Sequence, residues 1–337
     1  MKVVVMHGPG DVRIGTAPKP TRKPGEALLR VRRVGLCGSD LNSYRGRNPL
    51  VTFPRIPGHE IAASIVEVDD NEAELAAGMD VTLSPYTSCG RCSSCRNGRP
   101  NACRDNQTLG VQRDGALAEY ITVPMEKLFV AKLGLEELCL VEPLTVGAHA
   151  VGRGRTAEKD TVAVLGCGGV GLGAVAASAF LGATTIALDI DDAKLAIARE
   201  AGASHVINTK RQDAKEVLLQ ITGDQGADVV IEAIGTPDTF RAAIELVSFT
   251  GRVVYIGYAK EPVTYETRLF VQKELDIRGS RNAMPDDFRQ VIRMLEQQRF
   301  PVRSAISTVI PVEETPEVLR AWNEEPSRFA KIMINLD

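Results

Sequence analysis

The hydrophobic pattern divides the second half of the chain into alternating strands and helices. Short apolar runs rich in β-branched residues predict strands at 161–166, 184–189, 204–207, 228–234 and 252–257, with a sixth at 274–278. Helical patterns lie between them, near 170–182, 191–202, 213–222 and 238–247. This alternation predicts a doubly wound parallel sheet, in which ligands bind at the carboxyl ends of the strands.

The remainder of the chain has a different pattern. Residues 1–35 combine strands and turns, with a β-rich run at 27–34, and residues 61–68 are also strand-like. Helical patterns at 287–298 and 318–323 follow the sheet region, and a closing strand at 329–336 could return to the first domain. A length of 337 residues favours two domains, each with its own core.

The first strand of the alternating region runs into a glycine-rich turn. Gly166, Gly168 and Gly171 fit the pattern G-x-G-x-x-G, in which glycines allow a sharp turn and the close approach of a pyrophosphate to a helix N-terminus. Asp189 ends the next predicted strand 18 residues after Gly171, close to the roughly 20 expected for the acid that binds a ribose hydroxyl. The alternative is a glycine turn in some other α/β sheet, with Asp189 as a strand-end cap.

Four of the seven cysteines lie within 15 residues, at Cys89, Cys92, Cys95 and Cys103. Four thiolates at this spacing can complete a tetrahedral shell with no open position, which predicts a structural zinc. The alternatives are reduced or disulfide-bonded thiols on a loop, or an independent zinc-ribbon module. The flanking residues resemble a surface lobe within a larger domain.

Three further residues could form a second metal site. Cys37, His59 and Glu142 offer a thiolate, an imidazole and a carboxylate, and a catalytic zinc needs three protein ligands and one open position. Taken singly, each also has a structural interpretation. Cys37 could be a small core residue, His59 a hydrogen-bonded histidine and Glu142 a helix cap.

Composition and charge exclude several function classes. The chain is 44% hydrophobic and 25% charged, with a net charge of −3 and a pI near 5.9, which indicates neither a nucleic-acid nor an anionic-membrane partner. No apolar run is long enough to span a membrane, and the strand-like start carries no signal-peptide pattern. We therefore expect a cytoplasmic protein that acts on a small molecule.

Together these motifs resemble the zinc-dependent medium-chain alcohol dehydrogenase family. The resemblance covers the full length and rests on the stretch 35–40, on Gly58-His59-Glu60, on the four-cysteine lobe, on Glu142-Pro143 and on 166–171 with Asp189. It implies a GroES-like β-barrel catalytic domain at 1–142 and 302–337, with a structural-zinc lobe at 85–105. It also implies a Rossmann NAD-binding domain at 143–301, and a homodimer or homotetramer formed through a Rossmann edge strand near 252–257 or 274–278.

The family resemblance also implies roles for individual residues. Cys37, His59 and Glu142 would hold a catalytic zinc, with Glu60 a direct ligand in some states, so that each chain would carry two zinc ions. Asp40 would orient His59, and Ser39 would take the substrate proton. Relatives often end the proton relay with a histidine where this chain has Asn42. The proton would leave by water or by another group such as His149, although a buried helix histidine also accounts for His149.

For the nucleotide, the resemblance implies contacts with the glycine turn and with later strand ends. Asp189 would accept hydrogen bonds from both adenosine ribose hydroxyls, which favours NAD over NADP because a 2′-phosphate would face an anion. The remaining expected cofactor-binding residues are Gly166, Gly168, Gly169, Val170, Gly171, Ala233, Gly235, Ile256, Gly257, Ser280 and Arg281.

Within the family, Glu142 and short segments at 44–49 and 273–275 resemble the polyol, threonine and sugar-acid branch, and bacterial galactonate-type dehydrogenases in particular. This implies oxidation of a secondary hydroxyl of a polyol or sugar acid to the ketone. Tyr44 could contact the substrate, and Arg45, Arg47 and Arg113 could meet a carboxylate or phosphate or belong to a solvated surface. The alternatives are an L-threonine 3-dehydrogenase and a non-catalytic nucleotide-binding scaffold. Zinc-free quinone reductase relatives are disfavoured by the cysteines.

Overall fold

A computed structural model describes all residues from 1 to 337, and the chain divides into two compact units. Unit 1 comprises Met1–Glu142 and Val302–Asp337, and unit 2 comprises Pro143–Pro301. No helix is long and apolar enough to cross a membrane.

The strands, in chain order, are β1 Lys2–Gly8, β2 Asp11–Thr16, β3 Glu26–Leu36, β4 Glu60–Glu67, β5 Asp80–Leu83, β6 Tyr120–Pro124, β7 Leu128–Val130, β8 Thr161–Leu165, β9 Thr184–Asp189, β10 His205–Asn208, β11 Ala227–Glu232, β12 Val247–Tyr255, β13 Asp276–Gly279, β14 Thr308–Pro311 and β15 Ile332–Asn335. The α-helices are α1 Gly38–Tyr44, α2 Ser93–Arg96, α3 Leu135–Arg153, α4 Gly169–Phe180, α5 Asp192–Glu200, α6 Ala214–Ile221, α7 Pro237–Leu246, α8 Arg268–Gln272, α9 Pro285–Glu296, α10 Val302–Ala305 and α11 Thr315–Glu324. Short 3-10 helices lie at Pro100–Ala102, Met125–Lys127, Val312–Glu314 and Pro326–Arg328.

Unit 1 is organised around the long strand β3. The sheet has the order β14-β15-β3-β4-β5-β7, and β6 also pairs with β3, while β1 and β2 form a separate hairpin. Along β3, Leu29, Val31 and Val34 are fully buried, so the strand packs its apolar side chains into the core. The closing strand β15 pairs antiparallel with β3, which confirms its predicted return to the first part of the chain.

Unit 2 is a six-stranded, entirely parallel sheet in the order β10-β9-β8-β11-β12-β13. This is the doubly wound order in which β8 lies beside both β9 and β11, so the strand order reverses at β8. The predicted fold class, α/β with a parallel doubly wound sheet, is therefore confirmed.

Two details of unit 2 differ from the sequence prediction. Strand β12 begins at Val247 rather than at 252, because Val247 already pairs with Ala227 before a register shift in the ladder. Strand β12 also lies between β11 and β13, so of the two strands considered for a subunit contact only β13 is at the sheet edge.

Candidate metal and nucleotide sites

The four-cysteine cluster is fully assembled in unit 1. All four sulfurs of Cys89, Cys92, Cys95 and Cys103 lie within 4.8 Å of one another, and none is in a disulfide. The Cys92 sulfur lies 3.5 Å from that of Cys95 and 3.8 Å from that of Cys103. A tetrahedral zinc with bonds of about 2.3 Å would separate its sulfurs by roughly 3.8 Å. The donor set therefore fits a zinc ion with a complete shell.

Backbone amides surround the same sulfurs. The N–H groups of Cys89 and Asp105 each donate to the Cys103 sulfur at 3.3 Å, and the N–H group of Cys92 donates to the Cys89 sulfur at 3.3 Å. Such hydrogen bonds favour the thiolate form that a metal requires.

A second cluster joins Cys37, His59 and Glu60, whose ligand atoms lie within 4.8 Å of one another. Cys37 is at the start of α1, and His59 immediately precedes Glu60, the first residue of β4. His59 and Glu60 are buried, and the Nδ1 atom of His59 is buried without a hydrogen-bond partner. A sulfur, an imidazole and a carboxylate at this distance fit a zinc ion, and a metal would satisfy a buried imidazole nitrogen.

Glu142 is close to this cluster but does not belong to the set of atoms within 4.8 Å. Its carboxylate accepts a hydrogen bond from the hydroxyl of Tyr86, a residue that the sequence analysis did not single out. Burial raises the pKa of Glu142 to about 7. The structure thus groups Glu60, rather than Glu142, with Cys37 and His59.

Lys331 is the second residue that sequence reasoning missed. Its Nζ atom lies 2.6 Å from both carboxylate oxygens of Glu60 and donates to the Leu36 carbonyl at 3.2 Å. Burial lowers the pKa of Lys331, but Glu60 and Cys37 more than offset that effect and raise it. Gly35 makes room for this pair, because a Cβ atom there would lie 2.1 Å from a Glu60 oxygen.

No hydrogen bond links Asp40 to the Nδ1 atom of His59, the residue that Asp40 is predicted to orient. The Asp40 carboxylate instead accepts the N–H of Cys37 at 2.9 Å as part of the cap of α1. Its influence on His59 is electrostatic. Burial lowers the pKa of His59, but the charges of Asp40, Cys37 and Glu142 raise it well above its usual value. The Ser39 hydroxyl is buried and has no hydrogen-bond partner.

In unit 2, the glycine turn has the close contacts that its sequence predicts. Gly166 adopts a φ of 97°, and a Cβ atom on it would lie 2.6 Å from the Ile234 side chain. A Cβ atom on Gly171 would lie 1.8 Å from the Gly166 carbonyl oxygen, so α4 can pack this close to β8 only with glycine there. Gly168 is the N-cap of α4 and has no side chain to cover the first amides of the helix. Gly169 and Val170 then form the first turn, where an anion is favoured.

Asp189 lies at the end of β9, beside this turn. One oxygen accepts the N–H of Cys167 at 2.7 Å, and the other accepts those of Ile190 and Asp191 at 2.8 and 3.1 Å. These bonds fix the carboxylate at the carboxyl edge of the sheet, where β8 and β9 are neighbours.

The next strand end contains a buried acid that the sequence analysis overlooked. One oxygen of Glu232, at the end of β11, accepts hydrogen bonds from the N–H groups of Ile234 and Gly235 and from the Thr239 hydroxyl. Its other oxygen is buried without a partner, and a Cβ atom on Gly257 would lie 2.5 Å from it. The Glu232 side chain therefore holds the loop after β11, and its backbone carbonyl accepts the N–H groups of Ile256 and Gly257 after β12.

The remaining predicted nucleotide residues lie at the same carboxyl ends. Ala233 donates its N–H to Leu165 of β8, and Ile256 donates to the Glu232 carbonyl. Ser280 follows β13, and its hydroxyl is buried without a partner, with Arg281 next in the chain. The sheet thus brings these residues to one edge of unit 2.

Several predicted residues lie away from the metal clusters. Tyr44 is at the far end of α1 from Cys37 and, with Gly10, Arg45, Arg47 and Asn323, lines a cavity of about 540 Å³. His149 is a buried residue of α3 whose Nδ1 atom lies 2.8 Å from Asp287, which matches the structural interpretation of this histidine.

Comparison with known proteins identifies two family domains in this chain. Residues 23–134 match the alcohol dehydrogenase GroES-like domain, and residues 169–297 match the zinc-binding dehydrogenase family. Sorbitol dehydrogenase of Bacillus subtilis strain 168 is 38% identical over 342 residues, covering 99% of this chain and 97% of that protein. L-Galactonate-5-dehydrogenase of Escherichia coli K12 is 32% identical over 305 residues, covering 89% and 88%. Among solved structures, the alcohol dehydrogenase rspB of Escherichia coli CFT073, in complex with NADH, superposes with a TM-score of 0.91 at 28% identity. The match covers 100% of this chain and 99% of that chain.

Proposed function

Because this chain belongs to the zinc-binding alcohol dehydrogenase family, we propose that it oxidises a secondary hydroxyl of a polyol or sugar acid to the ketone, with NAD as hydride acceptor. The observation that carries the proposal is the buried cluster of Cys37, His59 and Glu60 in a chain that also has a glycine-rich nucleotide turn. We assign the catalytic domain to unit 1, with the structural-zinc lobe at 85–105, and the NAD-binding domain to unit 2.

The chain's own residues supply the metal ligands and the first proton acceptor. Cys37 and His59 would hold a catalytic zinc together with Glu60 or Glu142. A zinc ion there would act as a Lewis acid and lower the pKa of a hydroxyl bound to it. The unpartnered Ser39 hydroxyl would accept the substrate proton. Asn42 cannot titrate, so the proton would leave Ser39 through water.

The charge around Asp189 favours NAD. Its carboxylate is fixed by three backbone amides, and Asp191 and Asp192 follow it in the chain. A 2′-phosphate would therefore approach three acids and no adjacent arginine, whereas ribose hydroxyls could donate to Asp189. We also propose a homodimer or homotetramer formed through the exposed edge of β13.

The test is an assay of NADH formation with sorbitol, galactitol, L-galactonate and L-threonine, each with NAD and with NADP, before and after chelation. We expect chelator-sensitive, NAD-specific oxidation of a polyol or aldonate. Activity with L-threonine alone would assign the chain to the alternative dehydrogenase. Activity that survives complete metal removal would contradict the zinc mechanism.

Metal analysis separates the enzyme from a scaffold. We expect two zinc ions per chain in the wild type. Cys37→Ser should lose the catalytic ion and the activity, whereas Cys95→Ser should lose the structural ion. A different result would support a non-catalytic nucleotide-binding protein: the wild type would hold one zinc ion and show no activity. That ion would be retained in Cys37→Ser and absent from Cys95→Ser.

A further inference from the structure

Arg113 is a partly buried cation that has no partner in the chain. Its Nε atom is buried without a hydrogen bond, as are those of Arg33 and Arg55. Arg33 and Arg55, however, use their terminal nitrogens to bind Asp337 and Asp114. Arg113 makes no ion pair, even though Asp114 follows it in the chain. Burial accordingly lowers the pKa of Arg113.

The turn that carries Arg113 is packed against the backbone immediately before His59. Gly115 donates its N–H to the Ile56 carbonyl at 2.7 Å, and the next residue, Ala116, donates to the Gly58 carbonyl at 2.9 Å. On the other side of Arg113, a Cβ atom on Gly110 would lie 2.5 Å from the Gly58 nitrogen. These contacts fix the turn beside the loop segment 56–58, which leads into His59 and the metal cluster.

The backbone of Arg113 is also held in place. Its carbonyl accepts the N–H of Gly110 at 2.8 Å, and residues Leu109 and Arg113 form an isolated bridge. The backbone that carries this side chain is therefore held by the fold, while no acid of the chain forms an ion pair with the guanidinium group. A desolvated charge without a partner is destabilising, and such groups are typical of binding sites, where the ligand supplies the missing charge.

We propose that Arg113 binds a carboxylate group of the substrate, so that the natural substrate is a sugar acid rather than a neutral polyol. This inference rests on the proposed function, since it takes the Cys37-His59-Glu60 cluster as the place where the reacting hydroxyl binds. A carboxylate is favoured over a phosphate because the planar guanidinium binds it through two parallel hydrogen bonds and because one positive charge balances one negative charge.

The test uses ligands that share a carbon chain and differ only at one end: L-galactonate, galactitol and galactitol 1-phosphate. Calorimetric titration measures their binding to the purified, zinc-loaded protein, so the readout needs no turnover. A charge-assisted hydrogen bond of about 1.5–3 kcal/mol corresponds to a preference of roughly tenfold to a hundredfold for the aldonate over galactitol. Arg113→Gln should abolish this preference. Arg113→Lys should retain part of it, because lysine supplies the positive charge without the planar group that forms two parallel hydrogen bonds.

Arg303→Gln is the matched control, because Arg303 is an exposed arginine of α10 in the same unit and lines neither metal cluster. It should leave the preference unchanged. Two results would overturn the assignment of a carboxylate. One is the same preference for the aldonate over galactitol in the wild type and in Arg113→Gln. The other is a preference for galactitol 1-phosphate that depends on Arg113.

A structural role for Arg113 is tested separately by the midpoint of thermal unfolding without ligand. Because the buried charge has no partner, Arg113→Met should unfold at the same temperature as the wild type or higher. A lower midpoint would show that Arg113 stabilises the fold and would overturn the proposal. Oxidation of alcohols with no effect of Arg113 on aldonate binding would refute this inference alone. Aldonate binding through Arg113 with no oxidation would refute the proposed function alone.

Discussion

Replacement of Lys331 by methionine should destabilise unit 1, because it leaves the Glu60 carboxylate buried without a counter-charge. The side chains of Lys331 and Glu60 are only 8% and 1% exposed, and the Nζ atom contacts both carboxylate oxygens at 2.6 Å. Removing one partner of a buried ion pair costs about 3–5 kcal/mol. The loss of the bond to the Leu36 carbonyl adds about 1 kcal/mol, while the methionine chain keeps most of the packing. We expect Lys331→Met to lower the free energy of unfolding by about 4 kcal/mol.

A double-mutant cycle tests the interaction between the two residues, and its double variant removes both charges. The double substitution Lys331→Met with Glu60→Gln leaves two neutral side chains of similar size, so much of the lost stability should return. We expect a coupling energy of about 2–3 kcal/mol between the two positions. Lys2→Met is the control, because Lys2 forms an exposed ion pair with Glu313 and its loss should leave the free energy of unfolding almost unchanged.

Urea unfolding followed by tryptophan fluorescence is the assay. The chain has one tryptophan, Trp322, which is buried in the core of unit 1, so the signal reports that unit and avoids the mixed transitions of a two-domain protein. The measurement is made after chelation, because a metal near Glu60 would compete with Lys331. A cost below about 1 kcal/mol for Lys331→Met, or strictly additive single and double substitutions, would refute the reasoning.

Three further outcomes follow from the two sites. Gly171→Ala should weaken NAD binding more than tenfold in a fluorescence titration, because its Cβ atom would overlap the Gly166 carbonyl oxygen. Gly152→Ala is the control and should bind as the wild type, because Gly152 is an exposed residue of α3 outside the glycine turn and its Cβ would have no atom within 4 Å. Burial raises the pKa of Glu142 from 4.5 to about 7, so between these values the folded state holds a proton that the unfolded state releases. In the metal-free protein, the stability of the wild type relative to Glu142→Gln should therefore fall by about 3 kcal/mol as the pH rises from 4.5 to 7, and a difference that does not change with pH would contradict this cause. Glu232→Gln should raise the KM for NAD several-fold with a smaller change in kcat, because one hydrogen-bonded loop contact is weakened, and an unchanged KM would show that the loops hold their position without the carboxylate.

The fold of unit 2 was predictable because its signals are local. Each strand of a parallel sheet buried on both faces is a continuous apolar run, and each intervening helix shows its own periodicity. The glycine turn is equally local, since the close packing of Gly171 against Gly166 involves residues five positions apart. The start of β12 was misplaced because residues 247–250 extend a strand only through a register shift that pairing with β11 creates.

The two metal clusters could be predicted from the sequence to different extents. The four cysteines lie within 15 residues, so their spacing alone determined that they could share an ion, and the structure brings all four sulfurs together. The second cluster draws on separate segments of the chain, so the residue types alone left a shared metal site open beside separate structural roles, and the family resemblance then favoured the metal site. Spacing gave no means of deciding between Glu60 and Glu142, since that depends on which carboxylate is held by Lys331 and which by Tyr86.

The pair between Glu60 and Lys331 shows why such a choice cannot be read from local pattern. The two residues are 271 positions apart, and a lysine before the apolar strand β15 has the same sequence signature as an exposed strand-end charge. Its burial follows from two long-range pairings, because β15 pairs with one edge of β3 and β4 pairs with the other. Residue 332 thus lies beside Leu36, and residue 60 lies beside Gly35 on the opposite edge of β3. The same sheet therefore buries the carboxylate, supplies its counter-charge and leaves Glu60 next to Cys37 and His59. A metal bound at this cluster would have to compete with the Lys331 ammonium group for Glu60, or with the Tyr86 hydroxyl for Glu142.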